Sequence, residues 1–323
     1  MRVIAQESGR AAERKRIAFS TGELGVVLGF LLLFIALSIF SPVFFTPRNL
    51  LNIVDQWAPI ALIACAGTLV IMAGGFDLSA GATFALAGIL SILATNVAGP
   101  VAGIVTGLGV GFLIGLVNAL LTTVGRVNTF IGTLATAIIG RGIATAITGG
   151  FIVSTDSEGF AILGTARVLG IQLSVYILAL TAIACTLVVL RTPFGRHILA
   201  CGGNPEAARL SGVSVHLTRG ATFVISGLLA ALAGLMVASQ VGSVQSTTGV
   251  GIEFTAIAAV VIGGNSIFGG EGAIWRTVVG VFILAMIGNG FTLLGLNPTY
   301  QDIVKGLIIL VAVGIDAWTR KKI

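Results

Sequence analysis

The sequence predicts an all-α polytopic membrane protein of about ten transmembrane helices, with glycine-interrupted segments and both termini cytoplasmic. Three observations carry that prediction. Charged residues make up 9% of the 323, against about a quarter in a soluble domain. Hydrophobic residues are 56% and the mean hydropathy is +1.08, which leaves too little polar surface to cover a soluble fold of this size. The apolar runs are long and continuous, unlike the alternating segments of about ten residues in a membrane β-barrel. Glycine, at 45 residues, is about twice its usual share of roughly 7% and suits close helix packing and broken helices.

A hydrocarbon core about 30 Å thick needs about 20 apolar residues per helix. Such runs lie near 24–40, 57–74, 78–98, 101–123, 128–148, 172–190, 220–240, 254–267, 273–295 and 300–318. No recognisable signal peptide precedes the first. The text after it, Ser41-Pro42-Val43-Phe44, has no A-x-A-like cleavage site, so it reads as an uncleaved span. The eighth run is short and glycine-rich, and reads either as a span or as a re-entrant, half-length element. The chain is thus one transmembrane domain, 24–318, between a basic cytoplasmic tail at 1–23 and another at 319–323.

Ten spans put both termini on one side. Fourteen basic residues then share that side, in the tails and with Arg126, Arg191, Arg196, Arg209, Arg219 and Arg276 in its loops; only Arg48 and Arg167 face the other. That bias marks the basic side as cytoplasmic. It also explains the net charge of +6 without a nucleic-acid partner. Arg141 and Lys305 fall within or at the edge of spans, and Asp77 stands between the second and third. Ionisable groups at depth are costly and face a cavity or a partner; the alternatives are a structural pair for Arg141 and a snorkelling Lys305.

The fourth run carries Gly103, Gly107, Gly111 and Gly115, one glycine every fourth residue. They form a stripe for backbone-to-backbone packing, which makes an interface with a second copy of the chain possible. Cys65, Cys185 and Cys201 have no metal or CxxC spacing, and Cys65 and Cys185, which sit in apolar runs, read as small packing residues. His197 and His216 have no second ligand at helical spacing.

Three segments carry the functional expectations. In Gly74-Gly75-Phe76-Asp77-Leu78-Ser79 an apolar helix stops at two glycines, passes an acid and restarts, with Ser79 as the cap. In 261–272 five glycines, beginning with Gly263 and Gly264, interrupt a second run. Broken backbone within a membrane is tolerated where protein or a water-filled cavity covers it, and transporters use it to present polar groups. The text around Asn118 echoes that around Asn289, which points to an old duplication. The third segment is the loop 191–219. Asn204 caps a short helix there, Pro205 suits its first position, Glu206 favours its positive end, Glu206 and Arg209 share a face, and Gly212 ends it. Such a capped helix between spans reads as a docking element for another protein.

The chain has no phosphate loop, since the dipeptide Gly-Lys does not occur. It carries no Ser/His/Asp grouping, no H-E-x-x-H and no paired carboxylates in one span. It is therefore read as no enzyme.

Taken in order, Gly-Gly-Phe-Asp-Leu-Ser at 74–79, Arg-Thr-Pro-Phe-Gly-Arg at 191–196, Gly-Gly-Asn-Pro-Glu-Ala-Ala-Arg-Leu-Ser-Gly-Val at 202–213 and Ala-Ile-Ala-Ala-Val-Val-Ile-Gly-Gly at 256–264 resemble the permease subunit of bacterial ABC importers for ribose, xylose, arabinose and similar monosaccharides. The resemblance runs from about residue 24 to 318. Phe76 stands where the family often has Ile, and Glu271 where Lys is common; neither change disturbs the pattern. The resemblance implies two permease chains, most simply a homodimer, in the lipid of the bacterial inner membrane. A separate cytoplasmic ATPase binds the ATP and Mg, a periplasmic sugar-binding protein delivers the solute, and this chain itself holds no cofactor or metal. It also implies that 202–213 is the ATPase-coupling segment, with Gly203, Asn204, Pro205, Glu206, Ala207, Arg209, Leu210, Ser211 and Gly212, and that transport proceeds by alternating access.

A neutral sugar calls for hydroxyls and amides along its path. The candidates are Asp77, Asn118, Asn128, Arg141, Gln240, Asn265 and Asn289, each with a plain helix-to-helix hydrogen bond as the alternative. The competing function is an ion-coupled secondary carrier working without an ATPase, with Asp77, Arg141 and Glu253 as a proton relay. A third reading, a membrane scaffold, gains nothing from broken spans.

Overall fold

The computed structural model describes residues 21–320. A helix lies on each expected run: α1 (Thr21–Phe40), α2 (Pro47–Met72), α3 (Ala80–Ala98), α4 (Pro100–Thr123), α5 (Thr129–Thr148), α7 (Leu173–Arg191), α10 (Val215–Val241), α11 (Ile252–Ile262), α12 (Ile274–Leu293) and α13 (Pro298–Arg320). Seven of these (α2, α3, α4, α5, α7, α10 and α12) are long and apolar enough to cross a membrane. In α1 the apolar stretch is Leu24–Phe40, and α11 has 11 residues, about 16 Å at 1.5 Å per residue, roughly half a hydrocarbon core. The chain before α11 is not helical. It turns through Gly249 and Gly251, both with positive φ. Of the basic tails, residues 1–20 and 321–323 lie outside the described residues, while α1 already starts at Thr21 and α13 continues to Arg320.

Sequence patterning misplaces or misses three features. First, α2 begins ten residues before its apolar run. Thr46 accepts the Asn49 N–H, Pro47 takes the first position, and the polar opening turns are held by partners on other helices. Second, the connection between α5 and α7 is structured. It contains α6 (Glu158–Thr165), capped by Ser157, and two small antiparallel pairings: β1 (Val153–Ser154) with β4 (Ser243–Val244), and β2 (Arg167–Val168) with β3 (Ile171–Gln172). Third, the loop after α7 holds two helices, α8 (Pro193–Gly203) and α9 (Pro205–Leu210).

The long helix α10 forms the centre, packed against α2, α3 and α4. The α4 glycine stripe explains the closeness. A Cβ on Gly111 would overlap the Gly227 carbonyl, and one on Gly227 the Gly111 carbonyl, so two backbones touch where both residues lack side chains. Gly103 meets Ser91 and Thr95 of α3, Gly107 meets Leu235, and Gly115 meets Phe223 and Val224. All four stripe glycines are buried. The stripe is therefore consumed inside one chain and does not face a second copy. Phe84, Leu62, Met236 and Leu284 belong to the largest apolar cluster. Exposed Leu28, Leu32, Ile35 and Ile39 on α1, and Leu180, Ile183, Leu187 and Leu190 on α7, line the outside of the bundle. The three cysteines are free and buried.

Candidate functional site

The two glycine breaks are built alike. After α2, Gly74 has φ 82°, its N–H donates to Ile71 O (2.8 Å), and the Gly75 N–H donates to Val70 O (3.0 Å). After α11, Gly264 has φ 79°, its N–H donates to Val261 O (2.8 Å), and the Asn265 N–H donates to Val260 O (3.1 Å). Each helix thus ends on a left-handed glycine that turns its last amides back onto helix carbonyls. Gly75 itself fits against Phe223, Thr129 and Val70, and Gly263 against the Arg276 carbonyl.

Between the first break and α3 the backbone of 75–79 is non-helical, and α5 satisfies part of it. Thr129 Oγ1 accepts the Phe76 N–H (3.3 Å), and Thr133 Oγ1 accepts the Leu78 N–H (3.0 Å). Broken backbone inside a bundle requires such partners. Asp77 Oδ1 accepts from both the Ser79 amide (2.9 Å) and the Ser79 hydroxyl (2.6 Å), and Asn118 Nδ2 donates to Ser79 Oγ (2.7 Å). Ser79 stands at the cap position of α3 but makes no side-chain cap; its hydroxyl is committed to Asp77, because the carboxylate is the stronger acceptor. Asp77 lines a small cavity with Ser226 of α10 and Glu253 in the first turn of α11. The Glu253 carboxylate packs on Gly81, where any side chain would displace it. Arg141 of α5 donates to Ser246 O (3.1 Å) and Gly249 O (3.3 Å), and so holds the non-helical segment before α11. Asp77, Asn118 and Arg141 are therefore gathered around one place, together with Glu253.

The other path candidates lie elsewhere. Asn265 braces the second break: Oδ1 accepts the Ala273 N–H (2.7 Å), while Nδ2 donates to Thr277 Oγ1 (3.0 Å) and Val260 O (3.2 Å). Thr277 in turn pairs with Thr68 of α2 (2.6 Å). Asn289 and Asn49 exchange two hydrogen bonds (2.9 and 3.1 Å), joining α12 to the start of α2. Gln240 donates to Asp55 (3.3 Å), which also accepts from the Ser174 hydroxyl. Asn128 caps α5, accepting from the Phe130 amide (3.0 Å). It lines a cavity of about 410 Å³ with Gly74, Arg126, His216 and Arg219. At the opposite end, a cavity of about 380 Å³ is lined by Arg48, Asn52, Asp55, Arg167 and Gln172. The only two basic residues assigned to the far side thus share one cavity.

The loop 191–219 is built from two capped helices in series. Thr192 accepts the Gly195 N–H (3.1 Å) ahead of Pro193, and Asn204 accepts the Ala207 N–H (3.0 Å) ahead of Pro205. Both show the same signature, a capping side chain followed by proline at the first position, so α8 was legible at Thr192-Pro193. Arg209 pairs with Glu206 at 2.6 Å, with both side chains exposed. The hydrogen bond from Arg209 holds the Glu206 carboxyl below its usual range, and the same contact raises the Arg209 guanidinium. The pair is therefore intact above the ordinary carboxylate range and is lost as pH falls through the lowered value. On α9 Ala208 is buried, Leu210 is 76% exposed, and Ser211 donates to Ala207 O (2.9 Å). Gly212, at φ 84°, ends the segment.

The loop and both breaks meet. Arg219, at the start of α10, donates to Ala73 O (2.8 Å) at the first break and to Cys201 O (3.1 Å) of α8. Gly270, beyond the second break, donates to Met72 O (3.0 Å). A Cβ on Gly202 would overlap both Met72 O and the Gly270 amide, and one on Gly270 would crowd Gly203. Sequence reading singles out both breaks and the loop but not their contact; Arg219 enters it only as a loop charge, Gly202 only as the first residue of the 202–213 motif, and Ser226 not at all. No local pattern marks residues whose role is to touch distant backbone.

Residues 49–313 match a family described as branched-chain amino acid transport system / permease component. The ribose import permease protein RbsC of Bacillus subtilis (strain 168) is 42% identical over 316 residues, 96% of this chain and 97% of the relative. The L-arabinose transport system permease protein AraH of Escherichia coli (strain K12) is 37% identical over 317 residues, 97% of each. The probable ABC transporter permease protein YphD of the same strain is 35% identical over 292 residues, 90% of this chain and 88% of the relative. No solved structure matches the chain.

Proposed function

Because this chain belongs to the family of transport-system permease components matched over residues 49–313, we propose that it is the membrane subunit of an ATP-driven importer for a monosaccharide of the ribose, xylose or arabinose kind. The family description names amino-acid transport, whereas relatives covering nearly the whole chain are named for ribose and arabinose; the nearer resemblance sets the solute class. The protein is a multi-pass protein of the bacterial inner membrane. Counting the half-length α11, with the non-helical chain before it, as one of ten crossings, with α8 and α9 cytoplasmic, would put Arg126, Arg191, Arg196, Arg209, Arg219 and Arg276 on one face, in line with the charge bias.

The observation that carries the mechanism is the double hydrogen bond of Arg219, one arm on the first break and the other on α8. An ATPase docked on α8 and α9 would contact Glu206, Arg209 and Leu210. Its ATP-driven movement would reach the break, and with it Asp77, through Arg219 and the glycine contacts. A sugar-loaded binding protein on the other face and ATP on the ATPase would each favour one orientation of the permease, which is all that alternating access demands. The ion-coupled carrier has no such use for an exposed helix pair wired to a break, and none of the relatives above is named as an ion-coupled carrier.

The test is co-purification of the tagged chain in mild detergent. A partner carrying a phosphate loop, lost when 202–213 is replaced, is the expected result. A chain that comes down alone while still moving sugar under an ion gradient would give the function to the carrier.

A further inference from the structure

Two buried side-chain oxygens without a hydrogen-bond partner belong to Asp77 and Glu253, which line one cavity, and a third belongs to Asn118, one hydroxyl away. Asp77 Oδ2, Asn118 Oδ1 and Glu253 Oε2 are three of the five such atoms among the described residues. Asp77 is 9% exposed and lines the same cavity as Glu253 and Ser226, with the Ser226 hydroxyl as a donor beside its carboxyl. Asn118 reaches Asp77 through Ser79, so the amide and hydroxyl fix which Asp77 oxygen is used and which is left over. Native structures rarely leave buried acceptors unmatched, and a cluster of them calls for a ligand that brings donors.

When both acids are ionised all three atoms accept, and their complement is a donor: a hydroxyl group or a cation. The surroundings favour hydroxyls. Arg141 already brings a fixed positive charge alongside, through Gly249, whose carbonyl lies 2.7 Å from where a Gly81 Cβ would stand, beside the Glu253 carboxylate. Among the described residues no group of three His, Cys, Asp or Glu side chains could hold a metal ion. Carboxylates, each able to accept from two hydroxyls, are well suited to polyols. We infer that Asp77 and Glu253 form a hydroxyl-accepting station inside the bundle, taking a neutral polyhydroxylated solute by two or more hydroxyls at once. The inference rests on the sugar-importer function and gives that function its contact residues.

In this conformation the station is closed. Its cavity, about 10 Å³, admits one water-sized sphere. Its walls are Ile63, Gly67 and Ile71 of α2, Ser226 of α10 and Glu253, Ala256 and Ile257 of α11, with Asp77 and Ala80 closing the end. Admission of a sugar requires α11 to withdraw from α2 and the start of α3; Arg141, which holds the Ser246 and Gly249 carbonyls just before α11, is then a positioning residue for the closed form.

The test is uptake by the full importer, this chain with its cognate ATPase and binding protein, in cells lacking other pentose uptake. Asp77→Asn and Glu253→Gln are compared with wild type on saturating D-ribose, L-arabinose and their monodeoxy derivatives. Each variant is expected to slow the parent sugar at least about tenfold, while ATPase stimulation by the loaded binding protein persists. On the derivative lacking the accepted hydroxyl, variant and wild type should run alike. The binding protein is common to both arms and cancels in the ratio, and either variant alone supplies the cycle if the other fails to insert. Equal losses on every sugar, or no loss on any, would overturn the station while leaving the importer standing. Uptake that collapses with a sodium or proton gradient while ATP is maintained would assign the carboxylates to a cation. A wild-type chain that moves no monosaccharide would overturn the importer, and the station with it.

Discussion

The two glycine breaks use one backbone device and spend their side chains in opposite ways. Both turn on a left-handed glycine with the same pair of returning amides. At the second break Asn265 uses its oxygen on Ala273 and its amide on Thr277 and Val260, and nothing is left over. At the first, Asp77 spends one oxygen on Ser79 and leaves the other buried in a cavity opposite Glu253. A satisfied amide braces a fold; an unsatisfied acid is costly to keep and is retained for a purpose. The comparison separates a structural break from a working one where glycine content alone cannot.

That separation can be broken by experiment, most sharply by exchanging the two side chains' fates. Asp77→Asn should abolish most sugar uptake while leaving thermal stability equal or higher, since a buried, half-paired acid is replaced by a neutral amide. Asn265→Ala should do the reverse, lowering stability by about 1–3 kcal/mol through orphaned partners with little change in uptake per folded chain. Thermal unfolding in detergent beside uptake reads both, and similar behaviour of the two variants would erase the distinction. Next in size, Gly202→Ala forces apart the contact with Met72 and Gly270. It should cost about 1–3 kcal/mol, as overpacking does, and lose ATP-coupled transport, whereas Gly109→Ala on α4, where the glycine has open space, should lose neither. Smaller still, Gly74→Ala and Gly264→Ala should each cost about 1–2 kcal/mol from the left-handed backbone. Only Gly74→Ala should also impair coupling, because Arg219 lies 3.0 Å from its new Cβ. Smallest in stability is Glu206→Gln with Arg209→Gln. Both side chains are solvated, so unfolding should not move, while the ATPase should be lost from pull-downs; a retained ATPase would put the docking surface elsewhere on the loop.

Much of this was readable from residues in a row. The apolar runs located every long helix because a membrane helix satisfies its own backbone and needs only length and hydropathy. Asn204-Pro205 and Gly212 marked α9 at residue precision because caps are local chemistry. The polar opening of α2 was missed because Asn49 and Asp55 are tolerated there only by Asn289, Ser174 and Gln240, which come from distant helices. The α4 stripe was recognised but its partner was not: periodicity states that a close approach occurs, and Gly227 shows with what.

Composition, helix positions, the two breaks, the coupling loop and the family motifs all follow from the order of residues, because each depends on chain-local hydrogen bonding or on transfer from water to lipid. Which candidates share a site does not. Asp77 and Glu253 are far apart in sequence and meet because glycines at 81, 111, 227 and 249 let four segments close to backbone distance. Asn265, Asn289 and Gln240, as polar and as well placed on paper, are used up by neighbours that only packing supplies. A side chain's free valence is what its neighbours leave unspent, and those neighbours are set in three dimensions.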